Sequence, residues 1–367
     1  MAHLASIKNA LLIAFTAVIC ISCSSVDTYT ETFSLQDLPG SFNSPASFTI
    51  NADNDILFSS PNLHTDTLLE KGIITNKPMP TIGLIDQDDR VSTWYTFKPE
   101  DLEPTSGVVT PMGIAIGPDG NLYVADMQLW FGGISRVLRI NVENGKAKDV
   151  DVVLEGISFP NAIAWHNGDL YISDTVLSAE KGSPTISGVY RVSFDELNSE
   201  EPLKISSYVN EQNKDEHLIV TFESNGSLGF GANGLSLDDK GNLYTGIMED
   251  GTIFKTAFDS KGQVVDTTLF ASGLIASDGI QYDKKTNALY TTDLFDNALY
   301  KVDMDGKTTL LTRNGNTDGR NNLLDGPGEA IVRGDKIYIT NFDAAFGAPN
   351  MVNTTPDYPM TISVIDK

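Results

Sequence analysis

An all-β chain closed into a six-bladed β-propeller of four-stranded blades is the fold this sequence predicts, on three observations. Five segments repeat one pattern, an apolar strand, a turn and a second strand: Pro111–Met127, Pro160–Thr175, Ala232–Met248, Ser277–Leu294 and Gly328–Phe342. A weaker sixth copy, Pro45–Pro61, opens the array. Aligned on their second position, the copies start 66, 49, 72, 45 and 51 residues apart, the scale of a propeller blade. The strands are rich in Val, Ile, Tyr and Leu, and after residue 30 no long stretch of helical period interrupts them.

Each element follows from local chemistry. The two strands of a copy meet at dipeptides such as Asp119-Gly120, Asn167-Gly168 and Lys240-Gly241, where Gly supplies positive φ without a Cβ clash. The longer spacings of 66 and 72 should hold loops or extended outer strands, with the polar run Asn210–Glu216 as one excursion. The last apolar run, Thr361–Asp366, is expected to pair with early residues and close the ring. No linker of Pro, Gly and Ser divides the repeats, so 42–367 reads as one domain.

The first residues read as a targeting segment. Residues 1–22 carry one Lys and then the apolar run Ala10–Ile21, the length of a signal-peptide core and too short to span a bilayer comfortably. Ser22-Cys23-Ser24-Ser25 follows and resembles the lipobox of bacterial lipoproteins, in which Cys23 would be lipidated, although Cys20 departs from the usual pattern. Ordinary cleavage near Ser25 is the alternative, and either route exports the chain, to the periplasm or outer membrane in the first case. Residues 23–41 would then be a tether. The expected membrane contact is through a lipid anchor alone.

Composition agrees. The net charge is −24 and there is no basic cluster, which argues against nucleic acid and against charge-driven binding to anionic membrane. Both cysteines, Cys20 and Cys23, lie in the leader, so the propeller holds no disulfide, thiolate metal site or cysteine nucleophile. The four histidines, His3, His64, His166 and His217, all fall outside the repeat column and are expected at the surface. No serine-hydrolase elbow, zinc-protease helix or phosphate loop is present. A monomer is expected.

The column itself carries the chemistry. Its second position runs Ala46, Met112, Asn161, Asn233, Asp278, Glu329. Four consecutive copies thus place an oxygen-bearing side chain at one register. A closed ring would bring those side chains to its axis, where two amides and two carboxylates suit Ca²⁺ better than Zn²⁺. A second column, Ser60, Asp126, Asp174, Ile247, Asp293 and Asn341, ends each second strand and is expected to bond backbone. Trp130, in the run Trp130–Gly133 after the second copy, is expected at the wall of the axial mouth, with ordinary packing as the alternative.

On these residues the array resembles the senescence marker protein/gluconolactonase/luciferin-regenerating enzyme family of six-bladed calcium propellers, over about residues 42–367. The resemblance implies that Asn161 contacts substrate or metal, that Asn233 and Asp278 bind metal, and that Asp278 also acts as base or nucleophile. It implies a metal Glu in an early blade, where this chain has Ala46; Glu329, one blade earlier around the ring, is the candidate replacement. Met112 and Trp130 would join Asn161 around the substrate. The implied reaction is hydrolysis of a lactone, expected to be a sugar lactone such as gluconolactone. The cation would lower the pKa of Asp278 and weaken it as a base, which leaves Glu329 as the alternative. Copies such as Pro111–Asp126 also resemble the NHL-type repeat of non-catalytic binding propellers, and a lyase or strictosidine-synthase-like chemistry stays open.

Overall fold

The computed structural model describes residues 31–367. The leader, its cleavage and Cys23 therefore lie outside the described residues. Within them the chain forms six sheets of three to five strands, one per blade, antiparallel but for one short added strand in blade 2. The inner strands are Phe48–Ile50, Pro111–Ile116, Pro160–His166, Ala232–Leu237, Ser277–Asp283 and Pro327–Arg333, for blades 1 to 6 in order. The six copies are the inner two strands of the six blades. Asn167 and Gly168 both have positive φ at one of the turns, 51° and 86°, the requirement of a type I′ hairpin.

The core is not central but distributed between blades. One layer joins Ile114 and Val124 of blade 2 to Leu57 and Ile82 of blade 1. Another joins Ile280 and Leu289 of blade 5 to Tyr244 and Ile253 of blade 4. The ring closes in the same way, with Phe48 and Phe58 of blade 1 packed against Ile331 and Tyr338 of blade 6. Alternate strand residues face opposite sides, so each sheet serves two such layers.

Close approach at the axis is a glycine property. Gly113 and Gly234 follow Met112 and Asn233; a Cβ on either would collide with a backbone carbonyl of the next blade, that of Asn161 or Asp278. Hydroxyls then tie the blades. Ser173 Oγ of blade 3 donates to Asn233 O at 2.6 Å, Thr292 Oγ1 of blade 5 to Gly328 O at 2.7 Å, and Thr340 Oγ1 of blade 6 to Ala46 O at 3.1 Å.

Three expectations are corrected. Residues 33–38, read as part of a tether, belong to the folded body: Phe33–Ser34 pairs with the outer strand of blade 1, and Leu35 and Leu38 are buried. Ile362–Asp366 pairs with Lys336–Asn341 in its own blade rather than with an early strand. The last run still meets early residues through single backbone bonds that add to the closure, Ile362 N–H to Leu35 O at 2.7 Å and Leu38 N–H to Met360 O at 3.0 Å. His64 is buried, not exposed, its Nε2 lying 3.1 Å from Phe342 O, and burial lowers its pKa. The long spacings do hold insertions, a helix at Thr65–Glu70 in blade 1 and one at Phe194–Leu197 in blade 3. The second insertion also sends Leu203–Lys204 to pair in parallel with the outer strand of blade 2. Among the described residues no helix is long and apolar enough to cross a membrane.

Candidate metal and active site

All six column residues line a single axial cavity of about 670 Å³, mouth included. Ala46 and Met112 make its blade 1 and blade 2 side apolar, while Asn161, Asn233, Asp278 and Glu329 make the rest an arc of oxygen donors. Among the described residues no Lys, Arg or His is in the lining.

The amides are oriented by their surroundings. Thr175 Oγ1 donates its proton to Ala232 O at 2.7 Å, so it can only accept from Asn161 Nδ2 at 3.2 Å. That fixes the Asn161 NH₂ on the wall and turns its carbonyl oxygen away from it. Asn233 is buried, with Nδ2 3.4 Å from Met248 Sδ. Two oxygen acceptors are thereby left without a hydrogen-bond donor.

The carboxylates are electrostatically unhappy as they stand. Burial pushes Asp278 up to about 8, and the nearby Glu329 charge adds to the shift while Asn233 opposes it. Burial likewise raises Glu329 to about 7, against hydrogen bonds from Ser47 and from Phe48 N–H at 2.9 Å. Two acids in one cavity with no basic side chain call either for protons or for a cation. Hard oxygen donors from Asn161, Asn233, Asp278 and Glu329 match a Ca²⁺-type ion, with water and backbone carbonyls to complete the 6–8 ligands it takes. Glu329 thus stands in the cavity beside Ala46, where the early-blade Glu was expected.

The second column is structural. Asp174 accepts from Ser158 and Phe159 N–H at 3.0 and 2.8 Å, and Asp293 from Ile275 and Ala276 N–H at 2.6 and 2.9 Å. Asp126 accepts from Thr110 N–H at 2.8 Å and forms a buried ion pair with Arg136 at 2.6 Å. In each case the carboxylate holds the segment leading into the inner strand of its own blade.

Trp130 lines the mouth, edge-on to Phe159 at 5.1 Å and to Phe230 at 6.2 Å, with Phe346 6.2 Å from Phe230. Sequence reading named only Trp130 of these four; Phe159 and Phe230 sit just ahead of the inner strands of blades 3 and 4, a recurrence that could have flagged them. It also missed a second acidic group. Ligand atoms of Asp325, Asp343 and Asp357 lie within 4.8 Å of one another away from the axis, and Asn353 donates to Asp325 at 2.8 Å and to Asp343 at 3.2 Å.

No family model and no curated protein matches the chain by sequence. Solved structures do match by shape. A gluconolactonase from Xanthomonas campestris is 14% identical with a TM-score of 0.51, over 85% of this chain and 86% of its own. A luciferin-regenerating enzyme is 10% identical with a TM-score of 0.54, over 88% and 90%. The PQQ-bound aldose sugar dehydrogenase from Streptomyces coelicolor is 15% identical with a TM-score of 0.52, over 91% and 98%. At such identities the likeness is one of fold, and what this chain shares with all three is the propeller.

Proposed function

We propose that the protein is a calcium-dependent hydrolase that opens a lactone or related carboxylic ester at the axial cavity. One observation carries the reading: two oriented amides and two half-buried carboxylates face one cavity in whose lining, among the described residues, there is no basic side chain. Propellers host many activities, so the reading rests on the site and not on the gluconolactonase among the neighbours. A bound cation would polarise the ester carbonyl and stabilise the developing oxyanion. The chain supplies the remainder. Asn161, steadied by Thr175, orients the carbonyl end of the substrate; Asp278 takes a proton from the attacking water; Glu329, held in place by Phe48 N–H, would help to hold the cation. The water oxygen bonds to the carbonyl carbon, the ring C–O bond breaks, and the proton ends on the departing alkoxide, giving a hydroxy acid.

The test is acid release from a panel of lactones by protein stripped with chelator, then resupplied with Ca²⁺. Hydrolysis that disappears and returns with Ca²⁺ supports the assignment. Absence of acid release from folded, Ca²⁺-loaded protein would leave a binding propeller as the better reading.

A further inference from the structure

The wall of the cavity has a different chemistry from its floor. Trp130 is 45% exposed, a high value for a residue of its size, and it stands over the mouth beside Phe159, Phe230 and Phe346. Phe159 and Phe230 are themselves 6.3 Å apart and edge-on, so three rings form one continuous apolar face. Met112, Met248 and Leu294 add further apolar side chains to the lining.

The polar side chains outside the four axial donors are already engaged. Thr175 gives its proton to Ala232 O and accepts from Asn161; Ser47 bonds Glu329 and accepts from Ile114 N–H at 3.3 Å. A polyhydroxylated ring held against that apolar face would therefore bury hydroxyls without partners, which is unfavourable.

We infer that the group carried into this cavity is apolar, an aryl or branched-alkyl lactone or ester rather than a sugar lactone. The inference rests on the hydrolase reading for the bond that is cleaved, and on the aromatic wall for what is recognised.

Turnover and binding are measured separately. Dihydrocoumarin and D-glucono-δ-lactone serve as substrates; 2-tetralone and D-glucono-δ-lactam serve as their non-hydrolysable counterparts in calorimetry. The expected result is a kcat/KM at least ten-fold higher for dihydrocoumarin, and measurable binding of 2-tetralone where the lactam binds at least ten-fold more weakly. Trp130→Ala, at an exposed position that does not endanger folding, should raise KM for dihydrocoumarin by more than it raises KM for gluconolactone. Tight 2-tetralone binding without hydrolysis of either lactone would sink the hydrolase reading and keep the apolar site. Lactam binding as tight as that of 2-tetralone, or gluconolactone turned over as well as dihydrocoumarin, overturns the inference.

Discussion

The Oε2 oxygen of Glu329, on the inner strand of blade 6, accepts the N–H of Phe48, on the inner strand of blade 1, at 2.9 Å. These residues are 281 positions apart in the chain. The bond joins the last blade to the first and sets a carboxylate beside Ala46, the first column position without a side-chain oxygen. Structural closure and the chemistry of the cavity therefore share one residue.

Glu329→Gln retains the shape and one acceptor but removes a charge. It should weaken Ca²⁺ binding by on the order of 10–100-fold or more, since even partners outside the first coordination sphere are worth that much. Asp278→Asn should do the same and also abolish hydrolysis. Calorimetric titration of the chelator-treated variants decides, and unchanged affinity in both would remove the axial column as a cation site.

Ring closure can be tested away from the carboxylates. Thr340 Oγ1 donates to Ala46 O across the blade 6–blade 1 junction and also receives Glu329 N–H at 2.8 Å. Thr340→Val keeps the volume and strands both groups. A loss of about 1–3 kcal/mol is expected in urea unfolding, the cost of leaving buried polar groups unpaired. A neutral result would mean the bridge does not contribute.

Asp126 and Asp174 occupy the same register, but their surroundings differ. Asp126→Asn would leave the Arg136 guanidinium buried without its counter-charge, at a cost of about 3–5 kcal/mol. Asp174 faces only backbone N–H groups, and burial lifts its pKa to about 6. Asp174→Asn should thus be clearly milder than Asp126→Asn. Equal losses in thermal or denaturant unfolding would refute this division of roles.

Asp325 and Asp343 predict a pH dependence. Burial raises both, and neighbouring carboxylates add to it, Asp357 for Asp325 and Asp325 for Asp343. Their protons persist in the folded chain after the unfolded chain, with Asp near ~3.9, has released them. Stability from this source is complete below the unfolded value and is lost as pH rises through the raised folded values. The melting temperature of chelator-treated protein should consequently fall from mild acid to mild alkali, and Asp343→Asn should flatten that fall. A variant with the wild-type slope would assign the dependence to other groups.

Local pattern made much of this protein legible without coordinates. Strand alternation, Gly-bearing turns and the repeat spacing depend on residues within a few positions of each other, and they were enough to place Asn161, Asn233, Asp278 and Glu329 at equivalent points of successive blades. A ring then forces equivalent points together, which is why the column converges in one cavity. Only the tertiary structure decided the features that depend on which surfaces face each other. The bond from Glu329 to Phe48, the burial of His64 against Phe342, and the return of Leu35 to Ile362 all link opposite ends of the chain. The aromatic face of Trp130, Phe159 and Phe230 combines loops of three blades, and the Asp325–Asp343–Asp357 group is assembled by loops of one. No periodicity records such meetings, because they are set by packing between blades and not by the backbone conformation that a short segment prefers.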